Sequence, residues 1–345
     1  MFNKDYNFLV KLFHYLVLGN KIVPELLFDI ENLLNKKKIN NLNIKHQLYI
    51  TGLARAGTTI LLNTIYSSNK FASYTYRDMP FVISPNIWNI VSKRIKSKKS
   101  VLRKHKDNIL IDLDSPEQFE EVFWNLKDSD KYIFETFLRE YEVDKQSLNL
   151  YELFIKNCLI KYKSNNYICK NNNNFLRIKS LLKRFPQAKF LVSIRNPLDH
   201  SISLLNQHKN FTKLQGEERF TKSYMNYLVH HEFGLSHKPM ILDTKFQSDY
   251  GLNDINYWLE QWINLYNFAK KNNFNKNNNV LFIFYEELCN HPNSIMAKIN
   301  NFIGENVFAN IKDLNFKLKR YNENDYQFNS TLKKESLEIY NSFVG

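Results

Sequence analysis

The sequence predicts an α/β fold of three layers, α/β/α, with a central parallel sheet, a phosphate-loop-like turn and an N-terminal helical segment. Three observations carry that prediction. Short apolar runs of strand length alternate with longer helical stretches, the pattern of a parallel sheet covered on both faces. The stretch "YITGLARAGTTILLNTIY", Tyr49 to Tyr66, reads as strand, glycine turn and apolar helix. The stretch "FPQAKFLVSIRNPLDHSISLLNQH", Phe185 to His208, repeats strand, loop and helix further along the chain.

Taken in order, the elements begin with helical periodicity at Phe8, Leu9, Phe13, Leu16 and Leu18, then at Ile22, Leu26, Ile30, Leu33 and Leu34. This predicts a helical segment over 1–45 packed on a main α/β domain over 46–345. Candidate strands are 48–52, 72–76, 167–170, 189–194 and 280–285, each a run of mainly branched or aromatic residues. Candidate helices between them are 59–67, 116–126, 150–163, 175–185 and 257–270. In the last of these, Tyr257, Trp258 and Trp262 recur at helical spacing and read as core. No internal repeat interrupts the pattern.

The 345 residues are 43% hydrophobic and 15% aromatic, which excludes a disordered chain. The formal net charge of +14 favours anionic partners. A nucleic-acid stripe would interleave aromatics with its basic residues, and "SKRIKSKKSVLRKHK", Ser92 to Lys106, has none, so it reads as a solvated basic stretch and no nucleic-acid partner is expected. Cys158, Cys169 and Cys289 are odd in number and widely spaced, which predicts reduced thiols. The apolar run 8–19 is too short and interrupted for the ~20 residues of a membrane span, and no signal-peptide pattern precedes it. A cytoplasmic protein without an integral membrane segment is expected.

Strand, tight turn and helix make an anion site, because the first amides of a helix lack partners within it and its dipole places positive charge there. Gly52, four residues, Gly57, Thr58 and Thr59 have the spacing of a phosphate loop, but the lysine expected after the second glycine is missing and Arg55 is the nearby cation. That departure weakens a kinase or ATPase reading, which needs the lysine and a magnesium ligand. In the second segment Arg195 stands at a strand end, Pro197 opens a helix and Ser203 follows eight residues after the arginine. A guanidinium fork with a hydroxyl suits a phosphate, although a lone arginine equally suits a surface ion pair.

The two motifs together resemble the sulfotransferase superfamily, whose donor is 3′-phosphoadenosine 5′-phosphosulfate. There a loop of the type Arg/Lys-Ser-Gly-Thr-Thr holds the 5′-phosphosulfate; here it reads Arg55, Ala56, Gly57, Thr58, Thr59. A later Arg-Asp-Pro with a serine holds the 3′-phosphate; here it is Arg195, Asn196, Pro197 and Ser203. "VLFIFYEELCNHP", Val280 to Pro292, is similar to the strand whose Tyr-Glu-Asp-Leu tyrosine lies near the adenine, which maps to Tyr285. Ala56 and Asn196 depart from the usual serine and aspartate, and the carboxyl-terminal Lys-Gly-x-x-Gly loop of the cytosolic small-molecule branch is absent. The resemblance spans roughly residues 47 to 303 and implies sulfuryl transfer to a hydroxyl acceptor, a carbohydrate or small metabolite, without a metal. A phosphate-loop kinase and a non-catalytic binder of sulfated or phosphorylated ligands are the alternatives.

Such transfer needs donors on the leaving group and a base for the acceptor. Arg55 is the expected cation at the transferring group, and Lys170, ending a candidate strand, a second one. If strand 72–76 neighbours 48–52, Asp78 emerges beside the phosphate loop. It is similar in position to the glutamate base of the protein-tyrosine and heparan branches; pairing with Arg77 or a turn cap is the plainer role. Glu117, Glu120 and Glu121 share a helical face that reads as solvated and acidic, with Glu117 and Glu121 the members able to approach an acceptor. Among His200, His230, His231 and His237 no metal-ligand spacing recurs, and His231 is the expected acceptor contact.

Overall fold

Four parallel strands, β1 His46–Thr51, β2 Asn166–Lys170, β3 Lys189–Ile194 and β4 Val280–Phe284, form the central sheet in the order β2-β1-β3-β4. This computed structural model describes residues 8–97, 100–103, 105, 107, 109–242, 247–306 and 316–344. Residues 1–7 of the expected helical segment, and Lys98, Lys99, Lys104 and Lys106 of the basic run, lie outside them. Alternate strand residues point to opposite faces. Leu48, Ile50, Ile168, Leu191 and Ile283 pack with Leu61, Leu62 and Ile65 of the helix Thr58–Tyr66 and with Met296 and Ile299 of the helix Pro292–Ile303. Tyr49, Tyr167, Phe190, Val192 and Phe282 pack with Phe154 of the helix Lys145–Tyr162, Leu265 of the helix Ile255–Lys271 and Phe343 of the helix Ser330–Val344. The two cores make the three layers. From β1 the chain passes to β2 on one side and then to β3 on the other, so the carboxyl end of β1 is a switch point where such sheets bind ligands.

The N-terminal helices are Phe8–Leu18 and Ile22–Asn41. The second buries Pro24, Phe28, Glu31, Asn35 and Ile39 at helical spacing. Asn35 Nδ2 donates to Asn157 Oδ1 of the helix Lys145–Tyr162 at 3.3 Å. Glu31 accepts from the amides of Asn86 at 2.8 Å and Ile87 at 3.0 Å, and so satisfies the first turn of the helix Pro85–Ser92.

Two sequence expectations need correction. Segment 72–76 is not a strand: only Ala72 bridges Tyr167 and Thr75 bridges Pro116, and the chain then turns through a short 3-10 helix, Tyr76–Asp78. The cause is local. Asp78 reaches back to the Thr75 amide at 2.8 Å, accepts from the Tyr162 hydroxyl at 2.8 Å and pairs with Lys161, side-chain bonds that compete with a ladder. Its carboxylate is fully buried. The second correction concerns 116–126: the helix runs Glu121–Tyr132, and the acidic face expected in solvent is inside. Glu121 takes a two-pronged ion pair from Arg177 at 2.9 Å and hydrogen bonds from Tyr132 and Asn171, while Glu120 accepts from Trp124 and Tyr167. Burial raises the Glu121 pKa, but Arg177 outweighs it and holds the carboxyl below its ordinary value. Asp78 and Glu121 are thus both buried in ion pairs.

Removing one partner of a buried pair leaves the other charge uncompensated. Asp78→Ala, which strands Lys161, and Glu121→Gln, which strands Arg177, are each expected to lower the unfolding free energy by about 3–5 kcal/mol in urea titrations. Because the Glu121 pKa is depressed, its contribution is full above the ordinary carboxyl value of 4.5 and fades as pH falls through the lowered value. The gap between wild type and Glu121→Gln should therefore narrow in acid and stay constant above pH 5 or so.

Candidate active site

The turn after β1 is built for close approach. Gly52 has φ +130°, and a β-carbon there would stand 2.5 Å from the Ser193 carbonyl oxygen of β3. Gly57 has φ +83°, and its β-carbon would stand 2.7 Å from the Tyr285 ring. Arg55 between them also has positive φ, at 74°, an uncommon conformation for a residue with a side chain. These conformations wrap the backbone round the mouth of the helix Thr58–Tyr66, where Thr58 and Thr59 line a cleft and Ala56 is buried behind it.

The second anion motif meets the first. Arg195, at the end of β3, donates through Nη1 to the Arg55 carbonyl at 3.3 Å and through Nη2 to the Lys319 carbonyl. Its guanidinium lies 4.8 Å over the Tyr285 ring and 5.9 Å from that of Tyr321. Ser203, on the first turns of the helix Pro197–Glu217, is 3.5 Å from Arg55 Nε. Asn196 caps that helix, accepting from the amides of Leu198 and Asp199 at 3.1 and 3.3 Å, the task an aspartate would perform. His200 ties helix to loop through Nε2 and the Ala54 carbonyl at 2.8 Å; burial, with Arg195 nearby, pushes its pKa down to about 3. Segment 317–321 closes over the site, with the Tyr285 hydroxyl donating to the Lys317 carbonyl and the Tyr321 amide to Asp199.

Across the cleft runs a chain of charges. Arg55 reaches Asp107 at 3.2 Å, Asp107 binds Arg103 Nε at 2.9 Å, Arg103 binds Glu117 at 2.8 Å, and Glu117 binds Lys170 Nζ at 3.2 Å. Burial lowers the Arg55 pKa, with Asp107 opposing. Burial would raise the Glu117 carboxyl, yet Lys170 and Arg103 bring it down to about 2. On the same cleft, His230 Nδ1 lies 3.4 Å from Glu232, whose other oxygen accepts from Asn172 at 3.1 Å. Glu232 too is brought to about 2 against burial, chiefly by His230. Phe211, Met225, Leu228 and Phe233 form the apolar wall.

The structure thus brings together Arg55, Thr58, Thr59, Glu117 and Lys170 on one cleft, with Arg195, Ser203 and Tyr285 beside it. It does not bring Asp78, Glu121 or His231 there. His231 is buried one residue away, with Nδ1 at 2.9 Å from the Ser236 carbonyl and a pKa lowered to about 4 by burial. Its neighbour His230 faces the cleft instead. Arg103, His105, Asp107, Asn172 and Glu232 were missed in the sequence. Arg103 and His105 sit in the basic run that reads as solvated, and only the partners they meet in space distinguish them. Among the described residues no group of His, Cys, Asp and Glu could hold a metal ion.

The sequence model of the Sulfotransferase family matches residues 47–309. No curated protein sequence matches the chain at a significant level. In fold the chain is similar to the sulfotransferase STF9 from Mycobacterium avium, with a TM-score of 0.56 at 13% identity over 99% of this chain and 87% of that one. It is likewise similar to the sulfotransferase STF1 from Mycobacterium tuberculosis H37Rv, with a TM-score of 0.54 at 12% identity over 95% of this chain and 89% of that one. With the family matched across both anion loops and the sheet that carries them, the chain belongs to the sulfotransferase family, and it is an enzyme.

Proposed function

We propose that the chain moves a sulfuryl group from 3′-phosphoadenosine 5′-phosphosulfate to a hydroxyl acceptor, a carbohydrate or small metabolite, by in-line displacement. The observation that carries this reading is the junction of two anion loops, with Arg195 on the Arg55 carbonyl at 3.3 Å and Ser203 on Arg55 at 3.5 Å. One ligand with anionic groups at both ends of a short scaffold suits that junction. The residues fit such a nucleotide on two further counts. Arg195 is 3% exposed and its Nε has no partner among the described residues, and the lack of a side chain at Gly57 lets the Tyr285 ring pack directly on the loop.

In this reading Arg195 and Ser203 hold the 3′-phosphate, and Tyr285 closes over the loop. Arg55, the turn amides, Thr58 and Thr59 hold the 5′ end, where Arg55 and Lys170 stabilise charge that develops on the leaving oxygen. The donor itself supplies the sulfuryl group and a phosphate leaving group. We assign the proton acceptor to His230 rather than to Asp78 or to another carboxylate. A carboxylate held at about 2 by Lys170 and Arg103, as Glu117 is, is a weak proton acceptor at neutral pH. An imidazole facing the cleft with Glu232 behind its Nδ1 can take a proton at Nε2 while the carboxylate stabilises the imidazolium. Glu117 then serves to fix Arg103 and Lys170.

Three outcomes test the reading. Adenosine 3′,5′-bisphosphate should raise the melting temperature without divalent cation and by more than ATP with magnesium, and turnover should persist in EDTA; the reverse ranking would favour a kinase. By calorimetry, Arg195→Ala should weaken bisphosphate binding by about 2–5 kcal/mol, and unchanged affinity would take Arg195 out of the site. His230→Gln should lower turnover by about 100- to 10,000-fold with bisphosphate affinity intact, whereas Arg55→Ala should lower both. Normal turnover in His230→Gln together with its loss in Glu117→Gln would move the base to Glu117.

A further inference from the structure

Among the described residues, ten of the twenty exposed large apolar side chains lie between Leu12 and Leu34, on the first two helices. The helix Ile22–Asn41 is apolar on two sides. One side, with Phe28 and Ile39, is in the core. On the other, Ile22, Leu26 and Leu33 recur at helical spacing, 78%, 59% and 71% exposed, with Leu34 beside them at 70%. A helix that has satisfied its core face is ordinarily polar on the outer one. The helix Phe8–Leu18 adds Phe13 and Leu16, 51% and 47% exposed.

The rim of this face is basic. Lys21, Lys36, Lys37 and Lys38 are exposed against one exposed acid, Asp29, whereas Glu25 is tied to Lys127 at 3.3 Å and Glu31 is buried beneath the helix Pro85–Ser92. That helix repeats the composition where it ends: exposed Ile90, Val91 and Ile95 alternate with exposed Lys93, Arg94 and Lys96. We propose that the N-terminal helix pair docks on an anionic lipid bilayer, its apolar face in the headgroup boundary and its lysines on the lipid phosphates. Apolar faces with basic rims are what such surfaces bind. Among the described residues no helix is long and apolar enough to cross a membrane, so the mode is interfacial. A second copy of the chain is the poorer occupant, because a two-fold pairing would set lysine rim against lysine rim in a protein of net charge +14. The helix Phe8–Leu18 packs on the helix Arg219–Tyr227, with the His14 and Tyr224 rings 5.6 Å apart. Tyr224 and Met225 line the cleft, so the docking face adjoins one wall of it.

Flotation of the full chain with vesicles tests this. Recovery with phosphatidylcholine vesicles containing phosphatidylglycerol should exceed that with phosphatidylcholine alone by about tenfold or more, and should fall at high salt. The triple variant Leu26→Glu, Leu33→Glu, Leu34→Glu should reduce recovery by about tenfold or more, with the melting temperature kept as the check on folding. Should that variant misfold, Lys36→Glu, Lys37→Glu, Lys38→Glu is expected to abolish the preference for phosphatidylglycerol. Absence of flotation with either vesicle would overturn the proposal. So would a dimer in sedimentation velocity that the leucine variant dissolves, which would give the face to a second copy.

Discussion

Gly52 and the Ser193 carbonyl stand so close that no side chain fits between the turn after β1 and strand β3. Much of the site depends on that contact. It draws the phosphate-loop turn across the end of the neighbouring strand, where Arg195 follows two residues after Ser193. The same carbonyl accepts from the Tyr266 hydroxyl at 2.7 Å, so the contact is also anchored to the helix Ile255–Lys271 in the layer behind the sheet. A residue with a β-carbon at position 52 would have to part β1 from β3, and the two anion loops would separate with them.

Elsewhere the protein also buries charges and gives each a partner. Arg177 lies between the rings of Trp124, Tyr132 and Tyr141 while its fork meets Glu121, so guanidinium packing and ion pairing act at one place. Glu31 does comparable work at a helix start. Burial raises its pKa, and the Asn86 and Ile87 bonds restrain the rise. These groups position the layers. The cleft charges differ from them in facing a space that a ligand can enter.

Sheet, layers and the two strand-turn-helix motifs were legible because each leaves a local trace. Apolar runs marked β1 to β4 to within one or two residues, and two glycines with two threonines marked the turn. Asp78, Glu121 and His231 lie off the cleft, against expectation, for one shared reason. A carboxylate or imidazole carries the same local signature whether it faces a cleft or a buried partner, and Lys161 and Arg177 are 83 and 56 residues away in the chain from the acids they hold. Arg103 and Asp107 failed in the opposite direction. Arg103 sits in a run whose composition says solvent and Asp107 directly follows it, and only Glu117 and Arg55, brought in by the fold, turn them inward. Asn196 was the easier departure to judge, since an amide caps a helix as well as a carboxylate does.

The ion chain across the cleft has a kinetic meaning. Arg55, Arg103 and Lys170 are matched there by Asp107, Glu117 and Glu232, so the cations already have anionic companions before any anion arrives. An entering sulfate or phosphate group therefore exchanges partners with a carboxylate instead of meeting a bare charge, and the carboxylates reclaim those partners when it leaves. For the proposed donor, binding should be weaker than a count of cations would suggest and departure correspondingly faster. A site arranged in this way trades grip for release, which suits a catalyst that must shed a highly charged product at the end of every cycle.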